Sequence, residues 1–177
     1  MSENSAELLV NFLRERGETI GTCESLTAGL LAATIAQVPG ASEVLRGGIV
    51  TYATDLKSSL ADVPAELIDE YGVVSAPVAA AMAAGAQQRL GVDWAVGLTG
   101  VAGPDDQEGH PPGVVFLGIA GPGGVSSERV LPTQHLRWAI RPGAAEPEQV
   151  VDGSRNEIRC CCVEYALGRV VELGNKT

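Results

Sequence analysis

The sequence predicts an α/β domain built on a mixed sheet. Three observations carry that expectation. Helix-period and strand-period segments alternate along most of the chain, two late strand segments flank a glycine-rich turn, and small residues are abundant, with 22 Gly among 177 residues. Alternation favours parallel strands joined through helices, the late hairpin adds antiparallel pairing, and small residues let helices lie close to a sheet.

The elements follow in order. A first helix is expected from Ala6 to Arg16. Asn4 can cap it, Glu7 completes a capping box, Leu9, Phe12 and Leu13 share one face, and Gly17 stops it. Thr19 to Cys23 reads as a short strand, after which Glu24-Ser25-Leu26-Thr27-Ala28-Gly29 turns into a helix ending near Val38. Gly48 to Ala53, with β-branched Ile49, Val50 and Thr51, reads as a second strand. Pro64 to Tyr71 suggests a short helix. Ser75 caps a longer one from Ala76 to Leu90, with Pro77 in the first turn, where a missing N–H is harmless. Asp93 to Thr99 is a strand, and Val114–Ala120 with Val125–Leu131 form the hairpin. Pro132 to Asp152 shows no clear period and reads as a long surface loop. Ser154 and Glu157 make a capping box for a last helix running to about Leu173.

Length and composition bound the function. At roughly 100–200 residues per domain, residues 1–177 are expected to form one domain. Hydrophobic residues at 45% and charged residues at 19% suit a packed core. The net charge of −10 argues against a basic surface for duplex DNA, although the Arg residues could still gather locally. No apolar run is long enough for a membrane span, and the start MSENSAELLV lacks a signal-peptide pattern, so a cytoplasmic protein is expected. The Cys residues are Cys23, Cys160, Cys161 and Cys162, a spacing that makes neither a disulfide framework nor a zinc clip. Cys161 and Cys162 fall on the apolar stripe of the last helix beside Ile158 and Tyr165, as core residues would. Trp94 and Trp138 read as packing residues, and His110 and His135 as solvated loop residues.

Candidate chemistry is sparse. The sequence has two Lys, Lys57 and the terminal Lys176. Lys57 reads either as a solvated loop residue or as a general base whose pKa is lowered by desolvation. Ser25 stands where a strand turns into a helix. It reads as an N-cap or as a nucleophile, with the helix N-terminus offering N–H groups to an anion or oxyanion. Thr99-Gly100-Val101-Ala102-Gly103-Pro104 can bring backbone N–H groups close to a phosphate or carbonyl, or be simply a tight turn. Neither a dinucleotide fingerprint nor a Walker A loop is present. Arg155, at the start of the last helix, is the candidate for holding an anionic group.

Several motifs together resemble a known family. Glu24-Ser25-Leu26-Thr27-Ala28-Gly29, Gly47-Gly48-Ile49-Val50-Thr51-Tyr52-Ala53, Lys57, Gly72-Val73-Val74-Ser75, the 99–104 loop and Pro112-Gly113-Val114-Val115-Phe116 occur in one order over residues 6–172. This pattern resembles the C-terminal domain of competence/damage-inducible CinA proteins, the nicotinamide mononucleotide (NMN) deamidase family. The resemblance implies a three-layer α/β/α sandwich around a mixed, mostly parallel central sheet. It implies hydrolysis of the NMN amide to nicotinic acid mononucleotide and ammonia, with no metal or other cofactor. On its pattern Ser25 is the nucleophile, Lys57 the base and Tyr52 a proton-relaying or orienting group. Thr99, Gly100 and Arg155 would hold phosphate or ribose. Thr27 and Gly48 would join them in substrate binding, with N–H groups near Ser25 or Gly47-Gly48 forming the oxyanion hole. Arg159 and Arg141 compete with Arg155, because the 134–152 stretch is longer than the family's usual link. The family often has Gly-Gly where Ala28-Gly29 stand, so an added methyl is expected to crowd the substrate. The resemblance further implies a homodimer and a stand-alone form lacking the family's N-terminal domain. Competing readings are a nucleotide-binding module without turnover and an interaction protein in competence or repair.

Overall fold

The computed structural model describes residues 4–176. Helix α1 spans Ser5–Arg16 and starts in the expected capping box. The Asn4 side-chain oxygen Oδ1 accepts from Glu7 N–H at 2.9 Å, and the Glu7 carboxylate accepts from Asn4 N–H at 3.2 Å. Gly17, at φ +65°, ends it in the left-handed region that glycine adopts freely. Strand β1, Ile20–Glu24, is buried throughout, as a strand covered on both faces must be.

β1 pairs in parallel with β2 (Leu45–Val50) on one side and β3 (Trp94–Gly100) on the other. β4 (Val115–Gly121) and β5 (Gly124–Arg129) continue the sheet as an antiparallel hairpin, giving the order β2-β1-β3-β4-β5. The mixed sheet expected from the sequence is present, with helices on both faces.

The two faces differ because side chains alternate along each strand. Trp94, Val96 and Leu98 of β3, with Leu117 and Ile119 of β4, meet α1, α2 (Leu30–Ala36) and α6 (Arg155–Gly174) in the larger core. The opposite face carries Ala95, Gly97, Gly118 and Ala120 and is covered by α5 (Ala76–Leu90). A Cβ at Gly97 or Gly118 would overlap the Ala79 carbonyl oxygen, so only glycine lets α5 lie this close. Helices α3 (Thr54–Ala61) and α4 (Ala65–Tyr71) pack beside α5, with Ala61 in its core and Leu67 and Ile68 against it.

Four expectations need correction. β2 begins at Leu45, three residues ahead of the expected start, and ends at Val50. The turn after β1 runs to Gly29, so α2 starts later than Ser25 would start it, and its N-cap position is Gly29. Residues expected to form a loop around Lys57 form α3, whose N-cap, Ala53, offers no side-chain hydrogen bond. The long loop at 132–152 contains a separate antiparallel ribbon, β6 (Leu136–Ala139) and β7 (Glu148–Val151). Arg129 fastens that ribbon to the main sheet by donating to Glu148 at 2.7 Å and to the Gln149 carbonyl at 3.0 Å.

Single residues follow the same division. Cys162 is buried in the core, Cys161 packs against it and Cys160 is exposed, as the helical stripe predicts. Trp94 is a packing residue, but Trp138 is 66% exposed on β6 and packs nothing of the core. His135 is exposed, whereas His110 is half-buried with its Nδ1 unpartnered, and burial pushes its pKa down. No helix among the described residues is long and apolar enough to cross a membrane.

Candidate active site

The site forms where the chain leaves the carboxyl ends of parallel strands. From β1 the chain crosses to β2 through α2, on one face of the sheet. From β2 it reaches β3 through α3, α4 and α5, on the other. Such a switch in direction opens a crevice beyond the strand ends. Ser25 leaves β1 into this crevice and Gly100 leaves β3 into it. Together with Tyr52, Gly103 and Arg155 they line a cleft of about 320 Å³, a volume suited to a small ligand.

Glu24 sets the turn that presents Ser25. Its carboxylate is 1% exposed and accepts from the N–H groups of Gly29 (2.9 Å), Leu31 (3.0 Å) and Ala32 (2.9 Å) and from the Thr22 hydroxyl (3.0 Å). The start of α2, expected to offer N–H groups to a ligand, is therefore filled by the protein's own carboxylate. Ser25 N–H donates to the Leu98 carbonyl at 2.9 Å, and Ala28 N–H closes the turn on the Ser25 carbonyl at 3.1 Å. The N–H groups of Leu26 and Thr27 have no hydrogen-bond partner among the described residues. Arg159, on α6, donates to the Leu26 carbonyl at 3.1 Å and to the Thr27 carbonyl at 2.8 Å.

Lys57 reaches the same point from α3. Its ammonium nitrogen lies 3.1 Å from Ser25 Oγ and donates to the Thr51 carbonyl at 2.9 Å. The residue is 1% exposed, and desolvation lowers its pKa from the usual lysine value. The neighbouring Cys23 thiol and the Glu108 carboxylate act weakly the other way. Burial pushes Cys23 up to about 11, so near neutrality it is an uncharged thiol and does not hold a proton on Lys57. The pair is thus an alcohol and an amine in a water-poor pocket, the arrangement in which a lysine can act as a base.

The remaining expected residues divide. Tyr52 is 56% exposed on the rim and its hydroxyl accepts from Arg155 Nη2 at 2.7 Å. Arg155 also donates to the Gly103 carbonyl. A guanidinium has five N–H donors, so several stay available for an anion. Gly100 lines the cleft, but Thr99 does not. Its buried hydroxyl donates to the Val73 carbonyl at 2.6 Å, joining β3 to the segment ahead of α5.

Gly48 also lies away from the cleft, where a Cβ would press on the Thr22 hydroxyl and Ala32. Gly47 and Gly48 stand in the edge strand β2, in register with Gly21 and Thr22 of β1, and neither lines the cleft. Thr27 is fully buried with its hydroxyl unpartnered, behind rather than in the cleft wall. Ala28, at φ +50°, is exposed and does not line the cleft, so its methyl does not crowd it. Arg141 sits in the β6–β7 ribbon near Glu148 at 3.4 Å.

Sequence reasoning gave no role to Glu24, Asp105, Asp106 or Gln107, although the last three line the cleft. The Asp-Asp pair just after Gly103-Pro104 was the available signal, since carboxylates on a tight turn beside a site face whatever enters it. A wider hollow of about 560 Å³ borders α6 near His135, Cys160 and Tyr165. No group of three or more His, Cys, Asp or Glu among the described residues could hold a metal ion.

Comparison with known proteins identifies the family and the fold. The family described as the CinA C-terminal domain matches residues 2–147, ending ahead of α6. A competence-damage inducible protein of Limosilactobacillus fermentum is 56% identical over 115 residues, 65% of this chain and 28% of the relative. One from Streptococcus agalactiae is 48% identical over 129 residues, 73% of this chain and 31% of the relative. The chain thus spans less than a third of these relatives' length. Among solved structures, the competence/damage inducible protein CihA of Agrobacterium tumefaciens superposes with TM-score 0.79 at 31% identity, covering 98% of this chain and 99% of that one. The competence damage-inducible protein A of Klebsiella pneumoniae gives TM-score 0.81 at 26% identity, covering 96% of each chain. By match, relatives and fold, the chain belongs to the CinA C-terminal domain family.

Proposed function

We propose that this chain is a Ser–Lys amidohydrolase that removes ammonia from the carboxamide of NMN and leaves nicotinic acid mononucleotide. The observation that carries the reading is the 3.1 Å contact between Lys57 Nζ and Ser25 Oγ at the foot of the cleft. The substrate follows from the family resemblance, and the site chemistry is compatible with it.

The reaction follows from the groups present. Neutral Lys57 takes the Ser25 proton as Oγ attacks the amide carbon. The carbonyl oxygen becomes an oxyanion and is received by the free N–H group of Leu26, the residue that follows the nucleophile and lines the cleft. Lys57, now an ammonium, returns its proton to the departing nitrogen. Ammonia leaves and an acyl ester remains on Ser25. Water then attacks the ester with Lys57 again as base, and the acid is released. Arg155 attracts the nucleotide phosphate locally, which a protein of net charge −10 requires. Tyr52, accepting from Arg155, keeps its own hydroxyl proton for the substrate.

Ammonia release from NMN by the purified protein is the test. The wild type is expected to turn over, and Ser25→Ala to lose at least about 10³-fold in kcat, as removal of a nucleophile does. No ammonia from the wild type, or the same rate from the variant, would sink the proposal.

A further inference from the structure

Residues 104–110 supply one wall of the cleft, in which Asp105, Asp106 and Gln107 take part together with Ser25 and Arg155. The segment leaves the body of the protein where Val101 N–H donates to the Val114 carbonyl at 2.9 Å and Gly113 N–H to the Val101 carbonyl at 2.8 Å. Beyond that base it folds on itself. Gln107 N–H donates to the His110 carbonyl at 3.0 Å and His110 N–H to the Gln107 carbonyl at 2.9 Å, which makes a small hairpin with Glu108 and Gly109 at its tip. Both tip residues have positive φ, +52° and +75°, as the tightest hairpin turns require.

Glycine, asparagine and aspartate are the usual occupants of such positions, and a glutamate there is uncommon. Its side chain accounts for it. One Glu108 carboxylate oxygen accepts from Val73 N–H at 2.9 Å and from Val74 N–H at 3.4 Å. Both valines are buried, and their N–H groups have no other acceptor among the described residues. The Val73 carbonyl is taken by the Thr99 hydroxyl, so the receiving segment is itself fastened to β3. Gly72 leaves the room for this approach, since a Cβ there would stand 2.8 Å from the same carboxylate oxygen. Among the described residues no other hydrogen bond or ion pair ties residues 104–110 to the rest of the chain.

We propose that Glu108 is a positioning residue: by latching the hairpin tip to Val73 and Val74, it holds the 105–107 wall of the Ser25 cleft in the geometry that binds substrate. It touches no reacting atom. The inference rests on the amidohydrolase reading of the cleft but not on NMN being the substrate. An ionised acceptor makes a strong hydrogen bond, so its loss shifts the latch towards open by about 10- to 100-fold. Ligand affinity then falls with the fraction of molecules whose wall is in place.

The test uses Glu108→Ala, which removes both acceptor oxygens, and Glu108→Gln, which keeps one and loses the charge. Hydrogen exchange at the Val73 and Val74 amides reads the latch, and backbone order parameters at residues 105–107 read the wall. KM and kcat with NMN, and the dissociation constant of nicotinic acid mononucleotide, read the consequence. For Glu108→Ala we expect the two amides to exchange at least about tenfold faster. The order parameters should fall below about 0.6. KM and the product's dissociation constant should rise about tenfold with kcat within about threefold, because the wall binds ground state and transition state alike. Glu108→Gln should fall between Glu108→Ala and the wild type.

Unchanged exchange or unchanged order parameters in Glu108→Ala overturn the inference. So do wild-type KM and product affinity, whether kcat holds or falls, since a general loss of folded enzyme lowers kcat alone. Glu108→Gln as impaired as Glu108→Ala overturns it as well, because the effect would then lie in the charge that the carboxylate exerts on Lys57. If Glu108→Ala does not fold, Glu108→Gln decides by the same readouts, and wild-type values in all of them overturn the inference. A wild type inert towards NMN defeats the substrate assignment, and exchange with order parameters then decides this inference alone.

Discussion

Lys57 has no ion-pair partner among the described residues and only oxygens of Ser25 and Thr51 to donate to. Burial without a carboxylate disfavours the ammonium, so its folded pKa lies below the usual value of 10.5. The sign of two effects follows. The base form accumulates as pH rises, so kcat/KM is expected to climb about tenfold per unit on the acid side and level off below pH 10.5, read from an initial-rate pH profile. Stability runs in the same direction. Between the lowered folded pKa and the unfolded value the unfolded chain binds more protons, so the folded state gains stability with rising pH. Lys57→Met removes that gain, and urea unfolding at pH 7 and pH 10 should show a smaller rise for the variant. A steeper rise would mean that Lys57 is stabilised as a cation. The sequence showed that this was the one internal lysine, but its environment is made by residues of β1, β2 and the turn after β1. No local pattern reports it.

At the scale of elements, α3 decides whether Lys57 meets Ser25. Lys57 and Ala61 are four residues apart and share the buried face of this helix. Ala61 rests against α5 at Gly85, where a Cβ would overlap the Ala61 carbonyl oxygen. Gly85→Ala therefore pushes α3 away from α5. We expect a loss of about 1–3 kcal/mol in unfolding free energy, as for other overpacked sites. A fall in kcat should accompany it, because Lys57 moves with the helix. Gly168→Ala is the control: that helical glycine is exposed, a Cβ there meets nothing within 4 Å, and Tm should rise slightly. Equal behaviour of the two variants would refute the role given to the α3–α5 contact. α3 was missed in the sequence because a lysine on its buried face breaks the apolar stripe and its cap is Ala53. The β6–β7 ribbon was missed for a related reason. Its exposed Trp138 and its charged residues give no alternation to read, and its place is set by Arg129 reaching Glu148 from the main sheet.

Over the whole molecule, carboxylates join layers that the apolar core leaves apart at their edges. Glu128 on β5 accepts from Arg169 at 2.7 and 2.8 Å and from Tyr165 at 2.9 Å, both on α6. Burial alone would raise its pKa, but the guanidinium and the phenol outweigh it and hold the carboxyl below 4.5. Glu148 is held down in the same way by Arg129 and Arg141 against a burial effect of opposite sign. A depressed carboxyl contributes stability above its unfolded pKa and loses it as pH falls through the folded value. Acid unfolding should therefore set in below pH 4.5, and Arg169→Gln should move its midpoint upward. Circular dichroism against pH checks this, and an unmoved midpoint would show that the β5–α6 contact contributes little.

The sequence by itself determined the α/β class, the caps of α1, α5 and α6, the glycine-rich turns and the identity of the serine, lysine, tyrosine and arginine of the cleft. These are written in local spacing and residue chemistry, because propensity and patterning act within a few residues. Tertiary structure alone decided that Lys57 is buried against Ser25, that Glu24 fills the start of α2 and that Thr99 faces Val73 rather than the cleft. It also turned Arg159 to the back of the Ser25 turn. Each of these depends on desolvation or on partners far apart in the chain, and only the packed layers bring those partners within hydrogen-bonding distance.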